Sequence, residues 1–499
     1  MEQRRSEKFI KLVIYLYLVL PVMIFFAGWL KWQIALPVDL LILVCLGLSL
    51  RNDRITGKLP GKINWEKVIL ALLLIVVWVW LSGVGGLGFQ NSDHRARNAI
   101  FRVLIDYDWP VVSKTSDSAL IYYLGYWMPA ALFGKLFGFT AGLAFEVFWT
   151  ILGIGIFYYL IGLWRGKYEL WPLFLVIFFS GLDTVGIMLR GEAPASLWTI
   201  SHLENWSVTA QFSSMTTQLF WVFNQCIPAW IATLFIMVQK NGKNIWFILS
   251  CIIISATLPF VGLIPIALYF ALRHMKLNKQ SILETIKGFL TIQNLTGVFV
   301  IGIISVAYLL GGNQSTVAVK QIPFAHWNYI FVHYGTFWFV EAGIFLVFLW
   351  NHYKHNVLYY ICGAWLWICP FIKAGDKIDF CMRTSIPALV VIMVFCMESL
   401  SRYAREKKWT WLVPMICVIC LGAVTPIHEI HRSVNKLIAA NLEGGQYLAE
   451  EISIEDNLFQ KVMYSGAVKD NIFFEKLARL NYDEYMAEKY PEEASEEKE

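Results

Sequence analysis

The residues best equipped for chemistry lie together in the stretch NSDHRARNAIFRVLIDYDWPVV, positions 91 to 112. Asp93, His94, Arg95 and Arg97 fall within about one helical turn, and Arg102, Asp106 and Asp108 follow. A carboxylate or an imidazole in such a place can accept a proton. Guanidinium groups bind phosphate, because their planar fork donates two parallel hydrogen bonds to its oxygens. The spacing predicts a helix over 93–107, capped by Asn91 or Ser92 and closed by Trp109-Pro110. It sets Ala96, Ala99, Ile100, Val103 and Tyr107 on one face and Arg95, Asn98, Arg102 and Asp106 on the other, the pattern of a helix lying along a membrane surface. A snorkelling helix with solvated charges is the ordinary alternative. Two features weigh against it: the arginines lie on the side of the membrane that the charge bias depletes, and the aspartates are not spaced as a ladder of ion pairs.

Two further clusters could join this one. KAGDKIDFCMRTSIP holds Lys373, Asp376, Lys377, Asp379 and Arg383 in a very short turn between apolar runs. A salt-bridged tight turn would explain it equally, but Arg383 heads a span and is placed to meet a phosphate at the interface. The stretch from Arg190 to Trp230 carries Glu192, His202, Glu204 and Gln211 among Trp198, Trp206 and Phe212. Rings beside carboxylates and amides suit a sugar, and they equally suit an interfacial aromatic belt. His326 and His333 share a loop without a carboxylate, and the pairs His352/His355 and His428/His431 have no matching partner pair, so no metal site is expected from them. Asp39, Glu146 and Glu341 are ionisable groups inside apolar runs, where such groups mark a pathway or a buried pair.

The elements that must position these groups are membrane helices. Of 499 residues, 58% are hydrophobic and 15% charged, and the mean hydropathy is +0.56, more apolar surface than a soluble core can bury. The fold class is therefore an all-α polytopic membrane protein, with about 13 transmembrane helices at roughly 20 apolar residues each and interfacial helices in the first long external loop. The segments lie near 9–30, 34–50, 67–88, 138–163, 170–189, 216–238, 244–258, 259–272, 294–311, 336–351, 356–372, 384–400 and 410–427, the pair around Pro259 being readable as a re-entrant hairpin. The first is a retained span rather than a cleaved signal, being full length and lacking a small-residue cleavage site. Basic loops at RRSEK, RNDRITGKLPGK, RGK, QKNGKN, RHMKLNK and SRYAREKK all fall on one side, which places the N-terminus in the cytoplasm. The loops 89–137, 190–215, 312–335 and 373–383 are then external, as is the tail. Two regions result: a transmembrane domain over 1–430 and a helical appendage over 431–499 with a disordered acidic end. Nine cysteines scattered through apolar runs give no disulfide framework, and the short basic loops orient a membrane protein without indicating nucleic acid.

The stretches GGLGFQNSDHRARNAIFRVLIDYDWPVV, QFSSMTTQLFWVFNQCIPAW and DFCMRTSIPAL resemble those of a bacterial polytopic branch near the C-type (GT-C) glycosyltransferases, membrane enzymes that move sugars from polyprenyl-phosphate carriers. The resemblance in architecture covers the chain to about residue 430. It implies an inverting transfer at the external face of the plasma membrane, to an envelope glycan, lipid or protein acceptor. Asp93 matches the family's first-loop base, with His94 beside it. Arg95, Arg97, Arg102, Lys377 and Arg383 would bind the carrier phosphate, and Asp106, Asp108, His202, Glu204 and Gln211 the sugar or acceptor. Members of the family often carry an adjacent acidic pair or an Asp-x-Asp. Here Asp93 is followed by His94, and the Asp-x-Asp is Asp106-Tyr107-Asp108, so the choice of base among the three aspartates and the use of a divalent cation stay open. The competing reading is a transporter or flippase of a lipid-linked or anionic substrate, using Glu146, Glu341 and Asp39 as its path. A non-catalytic membrane subunit is a third.

Overall fold

In hydrocarbon a backbone has to satisfy its own N–H and C=O groups, so long apolar runs become helices. A computed structural model describes residues 2–55, 64–113, 117–192, 198, 200, 202–207, 210–240, 242–312, 318–319, 330–374, 378–443 and 467–490. The chain is built from α1 (Glu2–Trp29), α2 (Trp32–Asn52), α3 (Trp65–Leu81), α4 (His94–Asp106), α5 (Met128–Phe137), α6 (Phe139–Arg165), α7 (Trp171–Phe178), α8 (Asp183–Leu189) and α9 (Met215–Met237). There follow α10 (Ile245–Ser250), α11 (Thr257–Leu272), α12 (Lys279–Phe289), α13 (Ile292–Leu310), α14 (Val332–Tyr353) and α15 (Val357–Ile368). The last are α16 (Asp379–Thr384), α17 (Ile386–Arg405), α18 (Trp409–Gly422), α19 (Val424–Glu443) and α20 (Tyr482–Lys489). A two-residue antiparallel pairing of Ala318–Val319 with Ile372–Lys373 is the one named sheet among the described residues. Nine of the described helical stretches are long and apolar enough to cross a membrane, which makes this an all-α, multi-pass membrane protein.

The core centres on α9. Every residue from Met215 to Met237 except Trp221 is buried, and α6, α11, α17 and α19 pack around it. Buried Trp78, Trp127 and Trp230 fill the space between these helices, with Trp230 donating to Gln218 Oε1 at 2.8 Å and Trp78 to Thr216 Oγ1 at 3.1 Å. By contrast α3 leaves Val68, Ile69, Leu72, Leu73, Val76 and Val77 exposed, the surface expected against lipid tails.

Contacts between loops gather the ends of the helices into two sets. In one, Lys240 N donates to Arg54 O (2.8 Å), Arg273 Nη2 to Gln239 O (2.8 Å) and Asn244 Nδ2 to Asp53 Oδ1 (2.5 Å). In the other, Arg479 N donates to Trp29 O (2.7 Å), Tyr308 Oη to Leu120 O (2.9 Å), and Arg383 Nη1 to Tyr123 Oη (3.2 Å). The first set joins loops read as one side of the membrane, and the second joins those read as the other.

Several expected elements take a different form. Segment 244–258 is no full helix: six residues of α10 give way to turns up to Ser255, and Ile254 O accepts from Gly125 N at 2.9 Å. Packing inside protein supplies partners that lipid could not. The run 170–189 is broken between α7 and α8 at Phe179–Leu182. The last span does not end near 427; α19 continues to Glu443 and packs on α9 and α7, so the boundary drawn at 430 falls inside a helix.

One close approach sets the position of α16. A Cβ added to Gly262 of α11 would stand 1.9 Å from Thr384 O, so only glycine lets the two helices meet there. Gly262→Ala is expected to lower the thermal midpoint of the detergent-solubilised protein, at an overpacking cost of about 1–3 kcal/mol. Gly288→Ala in α12, where nothing lies within 4 Å, should leave it unchanged or raise it slightly.

Candidate functional site

The turn that delivers Asp93 depends on Gly83, whose φ of +80° an L side chain would resist and whose added Cβ would meet Phe89 O at 2.4 Å. Gln90 Nε2 then donates to Gly83 O (3.0 Å), and Asn98 Nδ2 returns a bond to Gln90 Oε1 (2.8 Å). Asn91 is buried and used at both ends. Its Oδ1 accepts from Asp93 N (3.0 Å), and its Nδ2 donates to Phe220 O (2.7 Å), next to the break that Val222 makes in α9. The helix starts at His94 with Asp93 as its N-cap, in place of the expected Asn91 or Ser92, and Asn91 instead ties the start of α4 to the central helix.

On α4 the side chains divide differently from the expected stripes. Arg97 is 6% exposed, its Nη2 bonded to Asp93 Oδ2 at 3.0 Å and its guanidinium 5.6 Å from the Phe223 ring centre. The Asp93 side chain remains 44% exposed, so the pair reaches from the core to the surface. His94 points inward against Phe223 (5.7 Å). Burial first, then the Arg97 charge, push its pKa down to about 3. Its ring thus packs inside the protein, while Asp93, expected beside it in catalysis, reaches the surface. Arg95 is exposed, and Arg102 lies over the Phe139 ring at 3.5 Å. Tyr107, expected on the apolar face, is exposed.

Asp106, the last residue of α4, and Asp108 just beyond it are exposed. Both act on the charge of Lys135, whose Nζ donates to Ile105 O (3.2 Å) and Tyr107 O (2.5 Å). The Asp-x-Asp therefore has a protein cation beside it. Among the described residues no group of three or more His, Cys, Asp or Glu side chains could hold a metal ion.

Arg383 arrives from α16. Its side chain is 12% exposed, pairs with Asp379 at 3.3 Å and donates to Tyr123 Oη, which also accepts a short bond from Tyr122 Oη. Asp93 lies within electrostatic range of Arg383, and both Arg97 and Arg383 act on Tyr122. Loops far apart in sequence thus bring an exposed carboxylate to two largely buried guanidiniums. The buried Arg97 Nη1 and Arg383 Nε find no hydrogen-bond partner among the described residues. Lys377, expected here, lies with Asp376 outside the described residues.

His202, Glu204 and Gln211 belong to a neighbouring polar group. Glu204 accepts from Gln211 Nε2 (2.7 Å) and Ser214 N (2.8 Å). Asp183 accepts from Ser180 Oγ (3.1 Å) and Thr425 Oγ1 (2.8 Å), and Glu341 from Trp206 Nε1 (2.8 Å). His202 sits between Glu429 (3.2 Å) and Arg432 (2.8 Å), and Arg432 is also paired with Glu429 at 2.7 Å. Cys381 Sγ on α16 contacts Gln211 O at 3.6 Å, so the two groups share that helix as a wall. Asp183, Glu429, Arg432, Tyr122 and Tyr123 were not singled out from sequence. The Ser-Gly pair at 180–181 was the available sign that a span breaks beside Asp183; the others carry no local signature.

No protein-family model, curated protein or solved structure matches this chain.

Burial and then the Asp183 charge push the Glu204 carboxyl up to about 8 from its ordinary 4.5. The folded chain thus holds a proton that the unfolded chain has released, and the stability traced to Glu204 falls as pH rises from about 4.5 to about 8. Thermal unfolding across that window should show a flatter pH dependence in Glu204→Gln than in the wild type. Equal slopes would remove Glu204 as the titrating group.

Proposed function

We propose that the chain is a GT-C-like glycosyltransferase of the plasma membrane that takes a sugar from a polyprenyl phosphate at the external face. The observation that carries this reading is the convergence of exposed Asp93 with Arg97 and Arg383, each of which keeps a buried N–H without an acceptor among the described residues. Asp93 accepts the proton of an acceptor hydroxyl as its oxygen attacks the anomeric carbon from the face opposite the phosphate. The bond to the carrier oxygen breaks, and its electron pair leaves with the polyprenyl phosphate. Arg97 and Arg383 offset the negative charge that grows on that phosphate. Asp93 is preferred to Asp106 and Asp108 as the base because it is bonded to Arg97 and lies near Arg383, the two phosphate donors, whereas Asp106 and Asp108 stand near Lys135. Arg95 and Arg102 extend the positive surface toward lipid headgroups, and Glu204, Gln211 and His202 lie where sugar or acceptor hydroxyls could be held.

The proposed topology has thirteen crossings, a cytoplasmic N-terminus and an external tail. It adds α3, the α10 limb, α11 and α15 to the nine longer stretches. The two sets of loop contacts support it, since the basic loops at Arg54, Lys240 and Arg273 fall in one set and Tyr123 and Arg383 in the other.

A transporter or flippase is the second reading. It is favoured by the broken span at Phe179–Leu182, where Asp183 and Glu341 are buried beside a π-helical turn. In that case Asp183→Asn would block movement of substrate across the membrane and Asp93 would be dispensable.

Membranes supplied with labelled polyprenyl-phosphate sugars should transfer label to an acceptor. Asp93→Asn should cut that rate by roughly 10²- to 10⁴-fold with folding intact. A fully active Asp93→Asn protein removes the role assigned to this carboxylate, and a cytoplasmic Ser92→Cys label would remove the external site.

A further inference from the structure

A tyrosine hydroxyl has one proton to give and two lone pairs to receive with. Tyr123 Oη receives from both Tyr122 Oη and Arg383 Nη1, the latter at 3.2 Å. Its acceptor capacity is filled, and its own proton has no acceptor among the described residues. Arg383 also faces the Tyr123 ring at 5.8 Å. The same neighbourhood holds the two guanidinium N–H groups without partners, at Arg97 Nη1 and Arg383 Nε. Both arginines act on Tyr122, and Asp93 acts on Arg383, so these donors share one region.

We infer that Tyr123 is a phosphate-binding residue, donating its hydroxyl proton to a phosphate oxygen that Arg97 and Arg383 also hold. This deepens the transferase reading and rests on it for the identity of the phosphate as that of a lipid carrier. Donation by a cationic guanidinium and a second hydroxyl into the Tyr123 oxygen polarises its O–H and strengthens the bond it gives. Tyr122 acts through Tyr123 and is a positioning residue. Asp93 takes one N–H of Arg97 and Asp379 pairs with Arg383 Nη1, so the donors left over are Arg97 Nη1, Arg383 Nε and the Tyr123 O–H, and three converging donors suit an oxyanion better than a neutral alcohol or a cation.

Binding separates this inference from the transfer reaction. Calorimetric titration of the full chain in detergent would use geranyl phosphate, inorganic phosphate and geraniol. Tyr123→Phe keeps the ring beside Arg383 and should weaken geranyl phosphate roughly 10- to 100-fold, the range for losing a bond to a charged group, leaving geraniol unchanged. Tyr122→Phe should weaken it less. Equal relative losses for inorganic phosphate would mark a free-phosphate site, and a loss confined to geranyl phosphate a lipid-phosphate one. Replacing Tyr123 with 3,5-difluorotyrosine, a better donor and poorer acceptor, should tighten binding at mildly acid pH. Weaker binding there would show that Tyr123 only receives from Arg383 and would overturn the inference. Unchanged affinity in Tyr123→Phe would overturn it too, even where Asp93→Asn abolishes transfer. Loss of affinity in Tyr123→Phe without any transfer activity in the wild type would keep the phosphate site and discard the transferase.

Discussion

The candidate site is organised around the burial of one guanidinium. Taking the Arg97 charge out of water costs several kcal/mol unless other groups replace the lost hydration. Asp93 supplies the main replacement one helical turn away, and the face of Phe223 supplies a lesser one. That requirement fixes how α4 sits. The helix has to present position 97 to α9, which needs the Gly83 turn behind it and the Asn91 bond to Phe220 O in front. Asp93 is consequently held at the boundary, with one oxygen toward the arginine and the rest of the carboxylate exposed. The compensation is partial, because Arg97 Nη1 stays unpaired among the described residues. A site that leaves a buried donor unmet is poised for an anion, and the same holds for Arg383 Nε.

The two polar groups meet because both attach to the N-terminal half of α9. Asn91 reaches it at Phe220, His94 at Phe223, and Glu204 at Ser214. A central helix buried on nearly all sides is the most rigid place available, and functional groups hung on rigid elements keep their geometry. The second group carries Asp183, Glu204, Glu341 and Glu429 against Arg432 and His202. It stands next to the cationic group around Arg97 and Arg383, with α16 between.

How much of this could be read from residues alone depends on the range of the interactions. Apolar runs marked the membrane helices, since any backbone in lipid must close its own hydrogen bonds. They did not distinguish a span from the α10 turns, because apolarity reports burial and protein burial permits irregular backbone. The charges of 93–97 and Arg383 stood out as charge where the membrane side should lack it. Their meeting was an expectation from resemblance, and the contact itself depends on residues 260 positions apart, Tyr123 and Arg383. The helical face of α4 was read with Tyr107 inward and Arg97 unassigned. Periodicity counts apolar residues and cannot see an arginine that is buried by pairing. Glu429 and Arg432 were assigned to an external tail because the apolar run ends near 427, whereas α19 continues as an amphipathic helix whose polar residues face Trp221 and His202.

The choice among three aspartates shows what electrostatics adds to a motif. Asp106-Tyr107-Asp108 has the more familiar spacing, and on sequence it competes with Asp93. In the fold, Lys135 lies among backbone carbonyls and between the influences of both carboxylates. The cationic neighbour of the Asp-x-Asp is thus a lysine. Asp93 also has a cationic partner, but Arg97 cannot give up its proton, so the pair fixes the orientation of the carboxylate without offering a route for the proton to move between them. One oxygen of Asp93 is held by Arg97 while its side chain stays 44% exposed.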